Sequence, residues 1–226
     1  MFRDRADAGM QLADLFRDQK LTDPLVLAIP RGGVITGAVL ARELGAELDV
    51  VLARKLRAPQ RSEAAIGAVS ELGQVYLNDF ASEFPELDDY LVKERDFQMA
   101  EIARRNQLLR GVRPAAPVAG RSVIVTDDGI ATGATMIAAL RDIRSKRPKE
   151  LIVAVPVASP EALELVRIWS DDVRCLLGPV DFWAVGHYYE DFRPVDDDEV
   201  VELIRKFRVK GKGERSRAPS SEMQTH

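Results

Sequence analysis

The chain has 226 residues, of which 46% are hydrophobic and 30% are charged, and its formal net charge is -4. This composition is that of an ordinary globular protein and excludes a disordered or fibrous chain. Acidic and basic residues nearly balance, 36 against 32, so we expect no broad surface for nucleic acid or for a membrane. The length predicts one large domain, with or without a small appendage.

The chain contains very little cysteine and histidine. Cys175 is the only cysteine, which excludes an intramolecular disulfide and a multi-cysteine zinc site and favours a cytoplasmic location. His187 and His226 are the only histidines, so there is almost no material for a histidine-rich metal cluster or a Cys/His nucleophile. The N-terminus shows no apolar run of signal-peptide length, and no segment approaches the ~20 apolar residues of a membrane span. We therefore expect a soluble protein.

Five apolar runs of strand length alternate with segments of helical spacing. The strands are predicted at Leu25 to Ile29, Val50 to Ala53, Ser122 to Thr126, Leu151 to Val157 and Val173 to Leu177. Apolar residues at helical spacing follow the first run, beginning at Val34, and the third run, beginning at Met136. This alternation predicts the α/β class, with a mostly parallel sheet and helices on both of its faces.

Two further elements are predicted outside this alternation. The run from Val69 to Leu77 consists of two extended pieces around Gly73, which predicts an antiparallel hairpin. From about Asp88 to Arg110 the chain is charged and free of glycine and proline, which predicts a helix. Its apolar residues form no single stripe, so we expect this helix to pack loosely.

The last predicted helix begins with a capping box. Asp196 and Glu199 have the required spacing, and apolar residues at helical spacing follow as far as Phe207. Residues 210–226 are mostly polar and small, which predicts a disordered tail. The folded domain is therefore expected to span residues 1–209.

The segment from Val123 to Met136 is the most informative part of the chain. An apolar strand delivers Asp127 and Asp128 to its C-terminal end, and a loop of small residues then opens a helix. Unpaired N–H groups at that helix N-terminus favour a phosphate, and the hydroxyls of Thr132 and Thr135 add donors. Two carboxylates can accept hydrogen bonds from vicinal sugar hydroxyls, so the segment fits a ribose 5-phosphate. A simple strand-to-helix turn does not explain two acids after an apolar strand.

This segment resembles the ribose-phosphate loop of the type I phosphoribosyltransferases. In that family two acids hold the ribose hydroxyls, and a Thr-Gly-x-Thr turn wraps the 5-phosphate. The resemblance implies a substrate-binding role for Asp127, Asp128, Ala131, Thr132, Gly133, Ala134 and Thr135. Ala131 stands where hypoxanthine-type enzymes carry an aspartate that acts on the base, so recognition of the base is expected to differ from theirs.

A second loop, Arg31-Gly32-Gly33, follows the first predicted strand. The two glycines let the backbone approach a bound group closely, and the arginine can pair with phosphate oxygens. The loop resembles the pyrophosphate loop of the same family, which implies that all three residues bind substrate. A cis peptide is frequent in that loop and would fall near Pro30-Arg31. Taken alone, the loop also fits an ordinary strand-to-helix turn.

The segment from Arg54 to Glu63 carries four cationic side chains in ten positions. It resembles the start of the flexible loop that closes over the active site in the family. That resemblance implies catalytic roles for Arg54 and Lys55, which would bring positive charge to the departing pyrophosphate. The alternative is a solvated surface loop, since runs of charge usually have that structure.

The segment from Asp181 to Arg193 is rich in aromatic residues, which favours either a small satellite core or a platform for a flat ring. It resembles the hood of purine phosphoribosyltransferases, which places a small C-terminal hood at about 178–195. The resemblance implies that Trp183 stacks on the base. His187 fits a structural histidine as well as a contact to substrate.

Together the resemblances cover about Leu25 to Phe207 and make residues 79–113 a helical insertion into the minimal fold. They imply an enzyme that transfers the 5-phosphoribosyl group of phosphoribosyl pyrophosphate to a nitrogen of a nucleobase-like acceptor, as in nucleotide salvage. Mg²⁺ is the expected cofactor, bound mainly by substrate oxygens and water, with Asp127 and Asp128 beyond its direct ligands. A non-catalytic regulatory protein that binds phosphoribosyl pyrophosphate and an enzyme with a nonstandard acceptor are the alternatives. The acceptor and the oligomeric state, including a homo-oligomer, are open.

Overall fold

The computed structural model describes residues 1–59, 61–84 and 86–207, apart from the side chains of residues 62 and 63. In chain order the elements are α1 (Arg5–Asp14), β1 (Leu25–Ala28), α2 (Gly33–Leu44), β2 (Glu47–Val50), β3 (Ala53–Ala58), β4 (Arg61–Ser70), β5 (Val75–Leu77), a 3-10 helix (Asp79–Glu83), α3 (Asp88–Arg110), β6 (Ser122–Thr126), α4 (Ala134–Ser145), β7 (Glu150–Val157), α5 (Pro160–Arg167), β8 (Asp172–Leu177), a second 3-10 helix (Val185–Tyr188) and α6 (Asp197–Lys206).

The main sheet is parallel and has the strand order β2-β1-β6-β7-β8. Its central strands are buried on both faces, because alternate side chains enter two different cores. Val26 and Ile124 pack in the core that also holds residues of α1, α2 and α6, whereas Leu25 and Val123 pack in the core with residues of α4 and α5. The predicted fold class, a parallel sheet with helices on both faces, is confirmed.

A second sheet is antiparallel and contains β3, β4 and β5. The predicted hairpin is confirmed as β4 and β5, and Gly73 in its turn has φ +75°, a conformation that glycine adopts readily. The predicted strand from Val50 to Ala53 is wrong. The main-sheet strand ends at Val50, and Ala53 already belongs to the second sheet. The apolar residues between them are buried at the corner where the chain passes from one sheet to the other.

Helix α3 has the predicted bounds and packs against β3 and α6. Only Gln98, Ile102 and Leu109 are buried among its described side chains, which fits the absence of a clean apolar stripe in the sequence. Polar contacts hold it instead: the hydroxyl of Tyr90 donates to the carbonyl oxygen of Arg57 at 3.1 Å, for example.

The C-terminal helix α6 is capped as predicted, since a side-chain oxygen of Asp196 accepts a hydrogen bond from the Glu199 amide at 2.7 Å. Between β8 and α6 the chain is irregular apart from the second 3-10 helix. The predicted tail of residues 210–226 lies outside the described residues. Within the described part of the chain, no helix is long and apolar enough to cross a membrane.

Candidate active site

The loops after β1 and β6 meet at the carboxyl edge of the main sheet, because these two strands are neighbours. A Cβ atom on Gly33 would lie 2.8 Å from the Cα of Asp127, and one on Gly32 would lie 1.9 Å from a carboxylate oxygen of Asp128. Gly33 is therefore required by close packing of the two loop backbones, whereas a side chain at Gly32 would displace the carboxylate of Asp128 and the guanidinium of Arg5. The peptide bond between Pro30 and Arg31 is cis, as the resemblance implied.

A cavity of about 380 Å³ opens between these loops, the second sheet and α3. Its cationic lining residues are Arg31, Arg54, Lys55, Arg57 and Arg105. The carboxylate of Asp127 and the side chain of Thr135 also line it. So many cations around one concave site raise the local positive potential and match a ligand with several phosphate oxygens.

The two acids of the β6 loop have different surroundings. A side-chain oxygen of Asp127 accepts a hydrogen bond from the Asp128 amide at 2.8 Å. Burial raises the pKa of Asp127 well above its usual range, the charge of Asp128 raises it further, and Lys55 opposes both effects. Asp128 instead forms an ion pair, with its Oδ2 atom 2.8 Å from Nε of Arg5. One acid is thus desolvated beside its neighbour, and the other has a fixed cationic partner.

Arg5, from the first turn of α1, is a site residue that the sequence did not reveal. Its side chain is 8% exposed, Nη1 donates to the carbonyl oxygen of Arg193 at 2.8 Å, and the guanidinium lies 3.9 Å from the ring centroid of Phe192. The hydroxyl of Tyr189 donates to the carbonyl oxygen of Asp128 at 2.6 Å. Arg5 therefore connects the N-terminal helix, the hood segment and an acid of the β6 loop. No local pattern distinguishes it from the other charged residues near the N-terminus.

The loop between β6 and α4 leads through Gly133 directly into the N-terminus of α4. Gly133 has φ +79°, and α4 begins at Ala134 directly after it. The carbonyl oxygen of Ala131 accepts a hydrogen bond from Ser159 Oγ at 2.7 Å, while Ala131 and Thr132 are exposed. The first amides of α4 consequently lie beside a loop whose residues Ile130 and Ala131 are held by hydrogen bonds to the end of β7 and to Ser159, the residue before α5.

The charged segment after β2 is not a loop at its start. Arg54 and Lys55 lie in β3, paired with Val69 and Ala68 of β4. Nε of Arg54 donates to Oε1 of Gln98 at 2.6 Å, and burial is the main cause that lowers the pKa of Arg54. The strand was not predicted because Arg54, Lys55 and Arg57 put charged residues on both of its faces, so the usual alternation of polar and apolar residues is weak.

The hood segment covers one side of the β6 loop. A Cβ atom on Gly129 would lie 2.6 Å from Cγ1 of Val185, so the hood touches this loop directly. The N-terminal segment holds the hood from the other side, because the Phe2 amide donates to the carbonyl oxygen of Tyr188 at 2.8 Å. Trp183 is 83% exposed, and its ring centroid lies 6.0 Å from that of His187 in an edge arrangement.

Comparison with known proteins identifies the class. Residues 5–192 match the family model described as the phosphoribosyl transferase domain. The crystal structure of TT1426 from Thermus thermophilus superposes with a TM-score of 0.77 and 44% sequence identity, covering 91% of this chain and 98% of that chain. The chain therefore belongs to the phosphoribosyl transferase family. The predicted family and its glycosyltransferase class are confirmed at this level.

Two curated proteins are similar to this chain over different shares of its length. Rv0571c of Mycobacterium tuberculosis, provisionally named a phosphoribosyl transferase, is 38% identical over 206 residues, which are 90% of this chain and 46% of that protein. The chain thus spans about half the length of this relative. Uracil phosphoribosyltransferase of Brevibacillus brevis is 35% identical over 78 residues, 34% of this chain and 37% of that protein.

Proposed function

We propose that the chain binds phosphoribosyl pyrophosphate at the carboxyl edge of the main sheet and transfers its 5-phosphoribosyl group to a nitrogen of a nucleobase-like acceptor. The observation that carries this proposal is the meeting of the acid pair and the cationic cavity at Asp127. A sugar with a phosphate at one end and a diphosphate at the other needs two anion sites with hydroxyl acceptors between them. The β6 loop, the acid pair and the cationic cavity are the three features that support this assignment.

At the ribose end, Asp127 and Asp128 accept the hydrogen bonds of the two ring hydroxyls. Backbone amides of Thr132, Gly133, Ala134 and Thr135 surround the 5-phosphate, with Ala131 in the same loop. The exposed loop and the start of α4 support this assignment, because helix N-termini favour phosphate. Charge-assisted hydrogen bonds to the carboxylates fix the orientation of the sugar.

At the diphosphate end, Arg31 and the amides of Gly32 and Gly33 hold the leaving group, and Arg54 and Lys55 face it from β3. During transfer the bond between the anomeric carbon and the diphosphate oxygen breaks, and its electron pair leaves with pyrophosphate. The lone pair of the acceptor nitrogen forms the new bond to that carbon, and the proton on the nitrogen leaves to water or to the departing pyrophosphate. The cations stabilise the developing negative charge, so the protein needs no nucleophile of its own.

The site fits a Mg²⁺ ion that binds together with the substrate, through its phosphate oxygens. Among the residues that the structure describes, no three histidine, cysteine or acidic side chains come together as a metal site. Mg²⁺ keeps several waters and commonly binds through substrate phosphates with few carboxylates. Asp127 and Asp128 would then contact its bound water, and the ion would supply further positive charge to the diphosphate.

The acceptor would lie under the hood, where the exposed indole of Trp183 offers a face for a planar ring. Alanine at position 131, in place of a base-reading aspartate, supports an acceptor unlike hypoxanthine. Because one similar protein is named a uracil phosphoribosyltransferase, the test must include pyrimidines. Such substrates are small cytoplasmic metabolites, so a cytoplasmic location belongs to the proposal.

The test is pyrophosphate release from phosphoribosyl pyrophosphate and Mg²⁺ against a panel of purines and pyrimidines, with substrate binding measured separately by calorimetry. Release with one base class supports the enzyme. Tight binding without release by any base supports the regulatory alternative. In either case Arg31→Ala should weaken pyrophosphate binding more than ribose 5-phosphate binding, and equal losses would make Arg31 a structural residue.

A further inference from the structure

Helix α3, which the resemblance treats as an insertion, supplies two polar side chains to the cationic cavity. Gln98 and Arg105 both line it and are seven residues apart, so they project from one face of the helix. Gln98 is 1% exposed on a helix whose other residues are mostly solvated. A buried amide in such a helix needs hydrogen-bond partners to offset its desolvation.

The partners of Gln98 connect α3 to β3. Its Oε1 accepts from Nε of Arg54 at 2.6 Å, and its Nε2 donates to Oε1 of Glu94 at 2.8 Å. The same oxygen of Glu94 accepts from the Arg57 amide at 3.0 Å. Because the group that accepts from Arg54 is a neutral amide, this hydrogen bond orients the guanidinium without an ion pair; the nearby carboxylate of Glu101 pairs instead with Arg104, at 3.3 Å.

Arg105 is held less completely. Its side chain is 15% exposed, and its Nε lies 3.4 Å from Oδ1 of Asp197, without a hydrogen bond of acceptable geometry. Asp197 also pairs with Arg104 at 2.6 Å, so one carboxylate serves two arginines. Burial lowers the pKa of Arg105, Asp197 opposes this effect, and the nearby charge of Arg31 adds to it. A phosphate group between Arg105 and Arg31 would remove this repulsion.

We infer that Arg105 binds the diphosphate of the substrate from α3 and that Gln98 is a positioning residue that directs Arg54 at the same anion. This inference rests on the proposed function and deepens it: α3 is part of the substrate site, and the diphosphate is held from the β1 loop, from β3 and from α3. A phosphoribosyltransferase fold without this helix would lack the third contact.

The first test compares Arg105→Gln with Arg95→Gln by calorimetric titration of pyrophosphate and of ribose 5-phosphate in the presence of Mg²⁺. Arg95 lies on the same helix but donates to the carbonyl oxygen of Gly73, away from the cavity. We expect Arg105→Gln to lose at least about tenfold in pyrophosphate affinity and less than about twofold for ribose 5-phosphate, the scale of one charge-assisted contact. Arg95→Gln should change neither.

A structural role for Arg105 would appear as an equal loss for both ligands or as no loss, and either result overturns the inference. Arg105→Lys should recover part of the pyrophosphate affinity, since it restores the charge without the planar fork. If the wild-type protein binds pyrophosphate and ribose 5-phosphate but the Arg105 variants match it, only the inference fails. If the wild type binds neither, the proposed function fails with it.

The second test is a double-mutant cycle for the positioning role. Gln98→Met keeps the side-chain length but removes the acceptor of Arg54, and we expect at least about a threefold loss of pyrophosphate affinity. In the Arg54→Ala background Gln98→Met should have almost no effect on pyrophosphate affinity, because the guanidinium that Gln98 orients is absent. An equal effect in both backgrounds would show that Gln98 does not act through Arg54.

Discussion

The two ends of the proposed substrate site are built in different ways. The ribose end consists of loops that directly follow buried parallel strands, and glycines bring Asp127 and Asp128 against the neighbouring loop. The diphosphate end combines the loop after β1, which carries Arg31, with β3 and α3, whose cationic side chains are oriented by polar contacts such as that between Arg54 and Gln98. The main-sheet core and the buried ion pair of Asp128 with Arg5 therefore fix the first end, whereas side-chain contacts between β3 and α3, outside the main sheet, fix much of the second. We expect changes at the first end to affect binding and folding, and changes at the second to affect mainly pyrophosphate and turnover.

The largest effect is expected from Asp127→Asn combined with Asp128→Asn. Each lost charge-assisted hydrogen bond is worth about 1.5–3 kcal/mol, so the pair should weaken phosphoribosyl pyrophosphate binding by more than about a hundredfold. Isothermal titration measures the change. The matched control replaces Asp88 and Asp89, adjacent acids at the start of α3 and away from the cavity, by asparagine and should leave affinity unchanged. Unaltered affinity in the site variant would remove the ribose assignment.

Next in size is the effect of Arg5→Ala on folding. Removing one partner of a largely buried ion pair leaves Asp128 without its cation, and such changes lower the free energy of unfolding by about 3 kcal/mol or more. Urea denaturation measures the loss. Arg3→Ala is the control, because Arg3 is mostly exposed and its ion pair with Asp7 is worth less than about 1 kcal/mol. Similar stabilities of the two variants would show that Arg5 does not hold the ribose end together.

At the diphosphate end, Arg54→Ala and Lys55→Ala should each lower the rate constant of transfer by at least about tenfold, or ~1.4 kcal/mol of barrier. The dissociation constant of phosphoribosyl pyrophosphate should change much less, since charge on the leaving group develops in the transition state. Steady-state and binding measurements are compared, with Arg61→Ala on the exposed end of β4 as the control. Equal losses in rate and affinity would assign these cations to ground-state binding.

The smallest effect is a gain of stability from Asp127→Asn alone. The folded-state pKa of Asp127 is raised by burial and by Asp128, so ionising this carboxyl costs more free energy in the folded protein than in the unfolded chain. The unfolded chain ionises this group near pH 4, and the folded state therefore loses stability as the pH rises from there through the raised pKa. Asparagine cannot ionise, so Asp127→Asn removes this pH-dependent loss of stability.

Scanning calorimetry should show Asp127→Asn more stable than the wild type at pH 7.5, by about 1 kcal/mol, the usual scale when a strained site residue is replaced. The gain should vanish below about pH 3, where the wild-type carboxyl is protonated in both the folded and the unfolded state. Asp128→Asn serves as the contrast and should be less stable than the wild type, because it breaks the ion pair with Arg5. A gain for both variants, or for neither, would contradict the different surroundings of the two acids.

The sequence by itself determined the elements whose causes are local. Apolar runs predicted four of the five main-sheet strands, and the absence of glycine and proline predicted α3 with its observed bounds. The acid pair, the Arg-Gly-Gly loop and the hairpin turn at Gly73 could also be predicted from the sequence, because each requires particular residue types at adjacent positions.

Tertiary structure alone decided which distant side chains complete the site. Arg5 and Asp128 are 123 positions apart, and Arg54 and Gln98 are 44 apart, so no local pattern couples either pair. Strand β2 likewise ends at Val50 because the chain turns there from one sheet to the other. The apolar residues that follow are buried at this corner without belonging to a strand, which the sequence alone does not show. A charged residue on a helix looks solvated in sequence whether or not a cavity lies in front of it. Only the packing of α1 and α3 against the rest of the fold brings Arg5 and Arg105 to the proposed substrate site.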